Sequence, residues 1–313
     1  MKIAVLGPGA LGCLLGSRLR EAGEDVILLD RDAERATTIA REGVRIENSQ
    51  GIRTVRVPVT SDPATVGKMD LLVVAVKAYD TRAAVEQWRG VLSEGTILLT
   101  LQNGLGNVEV LLEAAPKECP VVGGSTGEGA TRIGPGHSLH AGSGETVLAA
   151  ARGGAPAAEA AAAPLKRAGL SVRVGDDVHA VIWSKFLTNV GCNALAGVLG
   201  LSNGDLCDRE EARAVIRDLI REASEVGRRK GVRLPSGDAA RRAEEVLRLT
   251  ADNTNSLLQD LRRGRRTEID ALNGMVVEEG KAQGLETPVN RALWGMVRTL
   301  ESRGEQKSAR TAR

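Results

Sequence analysis

Lys2-Ile3-Ala4-Val5-Leu6-Gly7-Pro8-Gly9-Ala10-Leu11-Gly12-Cys13-Leu14-Leu15-Gly16 is the stretch whose reading decides the fold. An apolar, β-type run meets Gly7-x-Gly9-x-x-Gly12 and then continues with helical spacing, which reads as strand, tight turn and helix. Each glycine has a separate task in that reading. Gly7 turns the chain sharply, Gly9 lets a backbone approach a pyrophosphate, and Gly12 lets the helix pack near the strand. The phosphates then sit on the helix N-terminus, where unpaired N–H groups and the positive end of the dipole favour an anion without a basic side chain. Gly7, Pro8, Gly9, Ala10, Leu11 and Gly12 are therefore the expected cofactor-binding stretch. A glycine motif alone marks an ordinary turn; the strand before it and the helix after it make this one a dinucleotide signal.

The remaining 300 or so residues allow two domains of about 150 each. A formal net charge of +2 with 26% charged residues gives no electrostatic footprint for nucleic acid. The five aromatics, Tyr79, Trp88, Trp183, Phe186 and Trp294, are too few for a base-stacking platform, so no nucleic acid partner is expected. Cys13, Cys119, Cys192 and Cys207 lack C-x-x-C spacing, which predicts reduced thiols and no metal. Met1-Lys2 leads straight into the first strand and no apolar run reaches about 18 residues, so the expected localisation is cytoplasmic, with no membrane partner.

Outward from the first helix, Gly23 is a stop signal and Asp25-Val-Ile-Leu-Leu29 a second buried strand, ending in Asp30-Arg31-Asp32. That end faces the adenine ribose. An acid there accepts from the 2′-hydroxyl of NAD, whereas an arginine pairs with the 2′-phosphate of NADP, and the sequence offers both at adjacent positions. Asp32 is better explained as the cap of the next helix; Asp30 and Arg31 stay open. Residues 43–60 read as a hairpin decorating the dinucleotide fold. Asp70-Leu-Leu-Val-Val-Ala-Val-Lys77 suits a strand covered on both faces, with Lys77 at its carboxyl end, and 96–101 repeats the pattern before Gln102-Asn103-Gly104. Ligands in open α/β sheets bind outside such ends, which makes Lys77 and Asn103 site candidates, with a solvated lysine and a turn asparagine before glycine as the alternative readings. Glycine-dense 123–144 predicts a strand and then antiparallel hairpins at a sheet edge; His137 and His140 lack a third ligand and read as hairpin histidines. The alanine-rich stretch after Pro156 is expected to be a helix that Pro164 kinks or restarts.

Beyond Gly175 the β-branched runs vanish and helical patterns take over, so an all-helical second domain is expected from 177 to 303, after a first domain over 1–176 and before a disordered tail over 304–313. Within its first helix Lys185, Asn189 and Asn193 fall at i, i+4 and i+8 and form a polar stripe among Ile182, Phe186, Leu187 and Val190. A solvent-facing polar edge would give the same stripe. Buried polar groups are rarely unpaired, and a pocket would supply their partners. Asn253, Ser256 and Asp260 repeat the device on one helical face, and Thr267 caps a helix expected over 268–283 with Glu268 in its first turn.

In their order, Gly7-x-Gly9-x-x-Gly12, Val76-Lys77-Ala78, Gln102-Asn103-Gly104, Lys185-x-x-x-Asn189-x-x-x-Asn193, Ser202-Asn203-Gly204, Ser256-x-x-x-Asp260 and Thr267-Glu268-Ile-Asp270 resemble the ketopantoate reductase (2-dehydropantoate 2-reductase) family. The resemblance runs from Met1 to about Arg303. It implies an α/β fold, with an N-terminal Rossmann-type dinucleotide-binding domain and a second, all-helical C-terminal domain. It further implies Lys185 as general acid, Glu268 as its partner at the substrate hydroxyl and against the cofactor, and Asn103 bridging nicotinamide and active site. Asn189, Asn193, Asn203, Asn253 and Ser256 would hold the polar groups of a 2-oxo acid. Arg31 and Lys77 match positions that contact the NADP phosphate and ribose, so NADPH is the expected cofactor. Asp30 is the departure that keeps NADH open. A dehydrogenase of a related 2-oxo acid or imine and a non-catalytic dinucleotide sensor are the other readings; Lys185 and Glu268 argue against the sensor. The expected assembly is a monomer or homodimer.

Overall fold

The computed structural model describes residues 1–311, with side chains over residues 1–303. The tail expected over 304–313 lies outside the residues described in full. The chain packs as two compact units: Met1–Gln102 with Gly106–Val181, and Asn103–Leu105 with the chain from Ile182 onward.

The first unit begins β1 (Lys2–Leu6), α1 (Ala10–Glu21), β2 (Asp25–Leu29), α2 (Ala33–Glu42), β3 (Val44–Asn48), β4 (Gly51–Val55), β5 (Val59–Thr60), β6 (Leu71–Val74) and α3 (Thr81–Gln87). It continues with β7 (Ile97–Thr100), α4 (Asn107–Ala114), β8 (Val121–Thr126), β9 (Gly129–Gly134), β10 (His137–Gly142), β11 (Thr146–Arg152), α5 (Gly154–Arg167) and β12 (Val172–Val174). Its main sheet has the order β12-β11-β8-β7-β6-β1-β2-β5. The six strands from β8 to β5 are parallel, with β1 in register against β2 (Ala4 opposite Ile27) and β6 (Ala4 opposite Leu72). This is the doubly wound dinucleotide-binding order, in which ligands meet the carboxyl ends of strands flanking the crossover. Every residue of β6 and β7 is buried, as a strand covered on both faces requires.

Two expectations change here. The glycine-rich hairpin β9–β10 does not edge the main sheet. It pairs through β10 with β3, giving a separate four-stranded sheet β4-β3-β10-β9 that packs on α1. Val44, Ile46 and Ser138 are buried on that face, so the two hairpins jointly shield α1 from water. The alanine-rich helix α5 also continues through Pro164, three residues before its end, without restarting.

The second unit is helical: most of α6 (Val178–Leu199), then α7 (Asn203–Cys207), α8 (Glu210–Arg229), α9 (Ala239–Leu249), α10 (Ser256–Arg262), α11 (Asn273–Ala282) and α12 (Pro288–Thr311). Helix α6 is apolar around much of its circumference, and it runs through the core: Trp183, Phe186, Leu187, Val190 and Ala194 are all buried. Trp183 meets Phe186 edge-on with centroids 5.0 Å apart. A buried polar network ties the other helices to it. Asn273 Nδ2 donates to Asn290 Oδ1 (2.9 Å) and to the Val190 carbonyl (3.3 Å), while Asn290 Nδ2 donates to Glu222 Oε2 (2.8 Å). Glu222 also accepts from Val289 N and Asn290 N, both 3.0 Å, and so caps the first turn of α12. The helix expected to start at Glu268 starts instead at Asn273, after a 3₁₀ turn over Ile269–Ala271 and a break at Leu272. Among the described residues no helix is long and apolar enough to cross a membrane.

Candidate active site

The glycine turn is built as its sequence requires. Gly7 has φ +96°, and a Cβ there would lie 2.6 Å from Val76 Cγ1. A Cβ on Gly12 would lie 2.1 Å from the Gly7 carbonyl oxygen, so close packing of helix on turn needs that glycine for the chain's own sake. Gly9 differs. Its φ of −77° suits any residue, and a Cβ there would meet nothing within 4 Å. Nothing inside the protein calls for glycine at this position, and the space above the turn is open to a ligand. Gly9 is also the residue preceding α1, which has no side-chain cap and no acid in its first turn. The leading N–H groups of α1 are therefore left for an anion, and the residues present fit a dinucleotide pyrophosphate.

At the end of β2 the two candidate ribose contacts are treated differently. Asp30 is 1% exposed and both its oxygens are engaged. Arg35 Nε donates to Oδ2 at 2.6 Å, Arg35 Nη2 donates to Oδ1, and Asp32 N donates to Oδ1 at 3.0 Å. Arg31 points outward with its side chain 65% exposed, and Nη1 donates to Asp80 Oδ1 at 2.8 Å. Asp32 is the helix cap expected of it, accepting from Arg35 N. Lys77 lies three residues past the end of β6, at the start of the 3₁₀ turn Ala78–Asp80. Gln102 pins this loop: its Nε2 donates to the Val76 carbonyl (2.7 Å) and to Thr81 Oγ1 (2.8 Å), and its Oε1 accepts from Thr100 Oγ1 (2.8 Å). Arg35, Asp80 and Gln102 were not singled out as site residues by sequence. For Arg35 the available signal was its place five residues after the ambiguous acid.

In the second unit Asn103 leaves the chain segment that precedes it. Leu105 N donates to the Ala271 carbonyl at 2.9 Å, and a Cβ on Gly104 would lie 2.5 Å from that same oxygen, so residues 103–105 are stitched to the turn after Glu268. Asn103 Oδ1 is 3.5 Å from Asn189 Nδ2, one turn beyond Lys185 on α6. Lys185 is half-buried, and Glu268 is buried and near enough for its charge to act on the ammonium. Burial pushes the Lys185 ammonium down from 10.5 to about 8, and Glu268 opposes part of that fall. Asn193 is buried one further turn along the same helix face. The structure thus gathers Lys185, Asn189, Asn103 and Glu268.

The remaining candidates are placed otherwise. Asn203 uses its amide on Thr250 Oγ1 (2.9 Å) and its backbone N–H on the Asn253 carbonyl (3.1 Å), which fastens the start of α7 to the 250–253 turn. Asn253 does not share a helical face with Ser256 and Asp260. Asn255 caps α10 by accepting from Leu258 N at 3.0 Å, and this local bond ends the irregular stretch only at Ser256, which is exposed. The four cysteines are buried and unpaired, with burial pushing the Cys13 and Cys192 thiols up to about 12.

Two family descriptions match the chain: ketopantoate reductase PanE/ApbA over residues 3–153 and its C-terminal counterpart over 177–301. A 2-dehydropantoate 2-reductase of Halobacterium salinarum is 37% identical over 306 residues, 97% of this chain and 100% of that one, and an Archaeoglobus fulgidus counterpart is 33% identical over 96% and 98%. Among solved structures, a PanE/ApbA family ketopantoate reductase from Ralstonia eutropha superposes with TM-score 0.88 at 35% identity, covering 97% of this chain and 100% of that one. D-mandelate dehydrogenase, in its ternary complex with NADH and anilino(oxo)acetate, superposes with TM-score 0.91 at 26% identity over the same shares. With both halves matched in order and a relative 37% identical along its whole length, the chain belongs to the ketopantoate reductase family.

Proposed function

We propose that this chain is an NADPH-dependent 2-dehydropantoate 2-reductase, reducing ketopantoate to (R)-pantoate in pantothenate and coenzyme A biosynthesis. The observation that carries the reading is Lys185: a half-buried ammonium, pushed down to about 8, beside buried Glu268. When bound, the reduced nicotinamide supplies the hydride that C2 of the 2-oxo acid accepts. The chain's own task is then to handle the charge that develops on the carbonyl oxygen. Lys185 Nζ stabilises that charge and delivers the proton, leaving a neutral amine that solvent reprotonates. An ammonium near pKa 8 is still charged at neutral pH yet releases its proton far more readily than an exposed lysine. Glu268 keeps the ammonium charged and oriented, and Asn103 and Asn189 offer neutral donors to the substrate's oxygens.

For the cofactor, Gly9 leaves room for the pyrophosphate, and Arg31 with Lys77 is the pair proposed for the 2′-phosphate. The same lysine and glutamate would serve a different 2-oxo acid, and the likeness to D-mandelate dehydrogenase gives that second reading its weight. Absorbance at the nicotinamide band separates the two. Ketopantoate should give the highest kcat/KM among a panel of 2-oxo acids that includes the 2-oxo acid of mandelate. Preference for the aryl acid by tenfold or more would overturn the assignment and install the second reading.

A further inference from the structure

The end of β2 presents two adjacent residues with opposite implications for the cofactor. An acid at this place hydrogen-bonds an unphosphorylated ribose and repels a 2′-phosphate, whereas an arginine attracts that phosphate. The structure separates their fates. Arg31 is exposed, and its guanidinium is steadied by Asp80. Asp30 faces inward and is clasped by both arms of the Arg35 guanidinium, with Asp32 N as a third donor. The clasp is itself held in place: Asp32 caps α2 by accepting from Arg35 N at 3.0 Å, which fixes Arg35 in the first helical turn beneath the strand end.

We propose that Arg35, without touching the cofactor, sets the preference for a 2′-phosphate by occupying and neutralising Asp30. The inference rests on the NADPH reading above and adds to it the residue that makes the reading compatible with an acid at this position. The charges explain why the clasp is needed. Asp80 already places a negative charge on Arg31, and Asp32 follows it in the chain, so an unpaired Asp30 carboxylate would add a further like charge close to the phosphate, where such repulsion is strong. A paired and buried Asp30 offers neither repulsion to the phosphate nor an open acceptor to a 2′-hydroxyl. The fork geometry matters, because a guanidinium engages both carboxylate oxygens at once and an ammonium engages them as a single point. Arg35 is thus a positioning residue, acting through the acid it silences.

The test uses the full chain and two adenosine fragments, adenosine 2′,5′-bisphosphate and adenosine 5′-monophosphate, titrated by calorimetry with circular dichroism as the check on folding. These probes need no substrate, so they read the ribose site alone. The parent protein should favour the 2′-phosphate fragment. Arg35→Met should reduce that ratio by about tenfold or more, the size expected when one unscreened like charge is exposed near a phosphate. Adding Asp30→Asn to Arg35→Met should restore the ratio to within a few-fold of the parent, because the liberated carboxylate is the agent. If Arg35→Met does not fold, Arg35→Gln keeps a neutral donor to Asp30 and should show the same loss. A single variant that keeps the parent ratio overturns the inference and leaves the NADPH reading standing. So does equal weakening of both fragments without rescue by Asp30→Asn, which would mark Arg35 as merely structural. A parent protein that favours the monophosphate refutes the NADPH reading itself, and the inference with it.

Discussion

Lys185→Met should make the protein more stable at neutral pH while removing its activity. The side chain is half-buried on α6 with its ammonium pushed down from 10.5 to about 8, chiefly by burial. Folding therefore holds a charge in surroundings that disfavour it. At about 1.4 kcal/mol for each pH unit between the two values, the penalty is about 3.5 kcal/mol at most, and water reaching a half-buried ammonium lowers it toward about 1–2 kcal/mol. The sign follows from proton counting. Below pH 8 both states hold the proton and the full penalty applies. Between about 8 and 10.5 the unfolded chain holds more protons than the folded one, so the parent gains stability as pH rises; above 10.5 the penalty is gone. Methionine has similar length and no charge, so the variant should exceed the parent by about 1–2 kcal/mol at pH 7, and the gap should close as the pH approaches 10. Urea unfolding followed by tryptophan fluorescence reads this well, since Trp183 and Trp294 both lie in the second unit. Turnover should fall by about 10² to 10⁴ in the same variant, with NADPH affinity near the parent value. A variant less stable than the parent at pH 7, or a gap that does not narrow with pH, would refute the claim that burial dominates at Lys185.

The companion predictions test the other parts of the site. The parent's kcat/KM should decline above about pH 8 as Lys185 loses its proton, and a profile flat to pH 10 would remove it as the acid. Gly9→Val should fold as the parent, because a Cβ there meets nothing, yet should fail to bind NADPH in calorimetry, whereas Gly12→Ala drives a methyl into the Gly7 carbonyl and should destabilise the fold itself. Arg31→Ala should weaken NADPH about ten- to a hundredfold and NADH little, the worth of one charge-assisted contact to phosphate, as competitive binding measurements would show. Glu268→Gln should lower ketopantoate turnover and raise KM; parental steady-state kinetics would deny it a role. Asn290→Ala removes one side-chain partner each from Asn273 and Glu222 in the buried network and should cost about 1–3 kcal/mol in urea unfolding.

What could be read without coordinates divides along a physical line. The strand, the glycine turn and α1 were legible because their determinants lie within 15 residues: a β-type run, a φ only glycine tolerates and a helical period. The stripe Lys185, Asn189, Asn193 was legible for the same reason, since one helix sets its spacing. Where partners are remote in sequence, local pattern fell short. Nothing in the glycine-rich hairpin β9–β10 announces that it pairs with β3, more than 80 residues earlier, because strand pairing leaves no mark beyond alternation. The spacing of Asn253, Ser256 and Asp260 suits one helical face, but an asparagine cap competes with helical hydrogen bonding and wins at Asn255. The Asp30-Arg31 pair shows the limit most clearly. Adjacent residues of opposite charge look equally available in sequence, and their availability is decided by a guanidinium from the following helix that engages one of them fully. Composition tells which charges are present; only the fold tells which are already spent on one another, and cofactor choice depends on the latter.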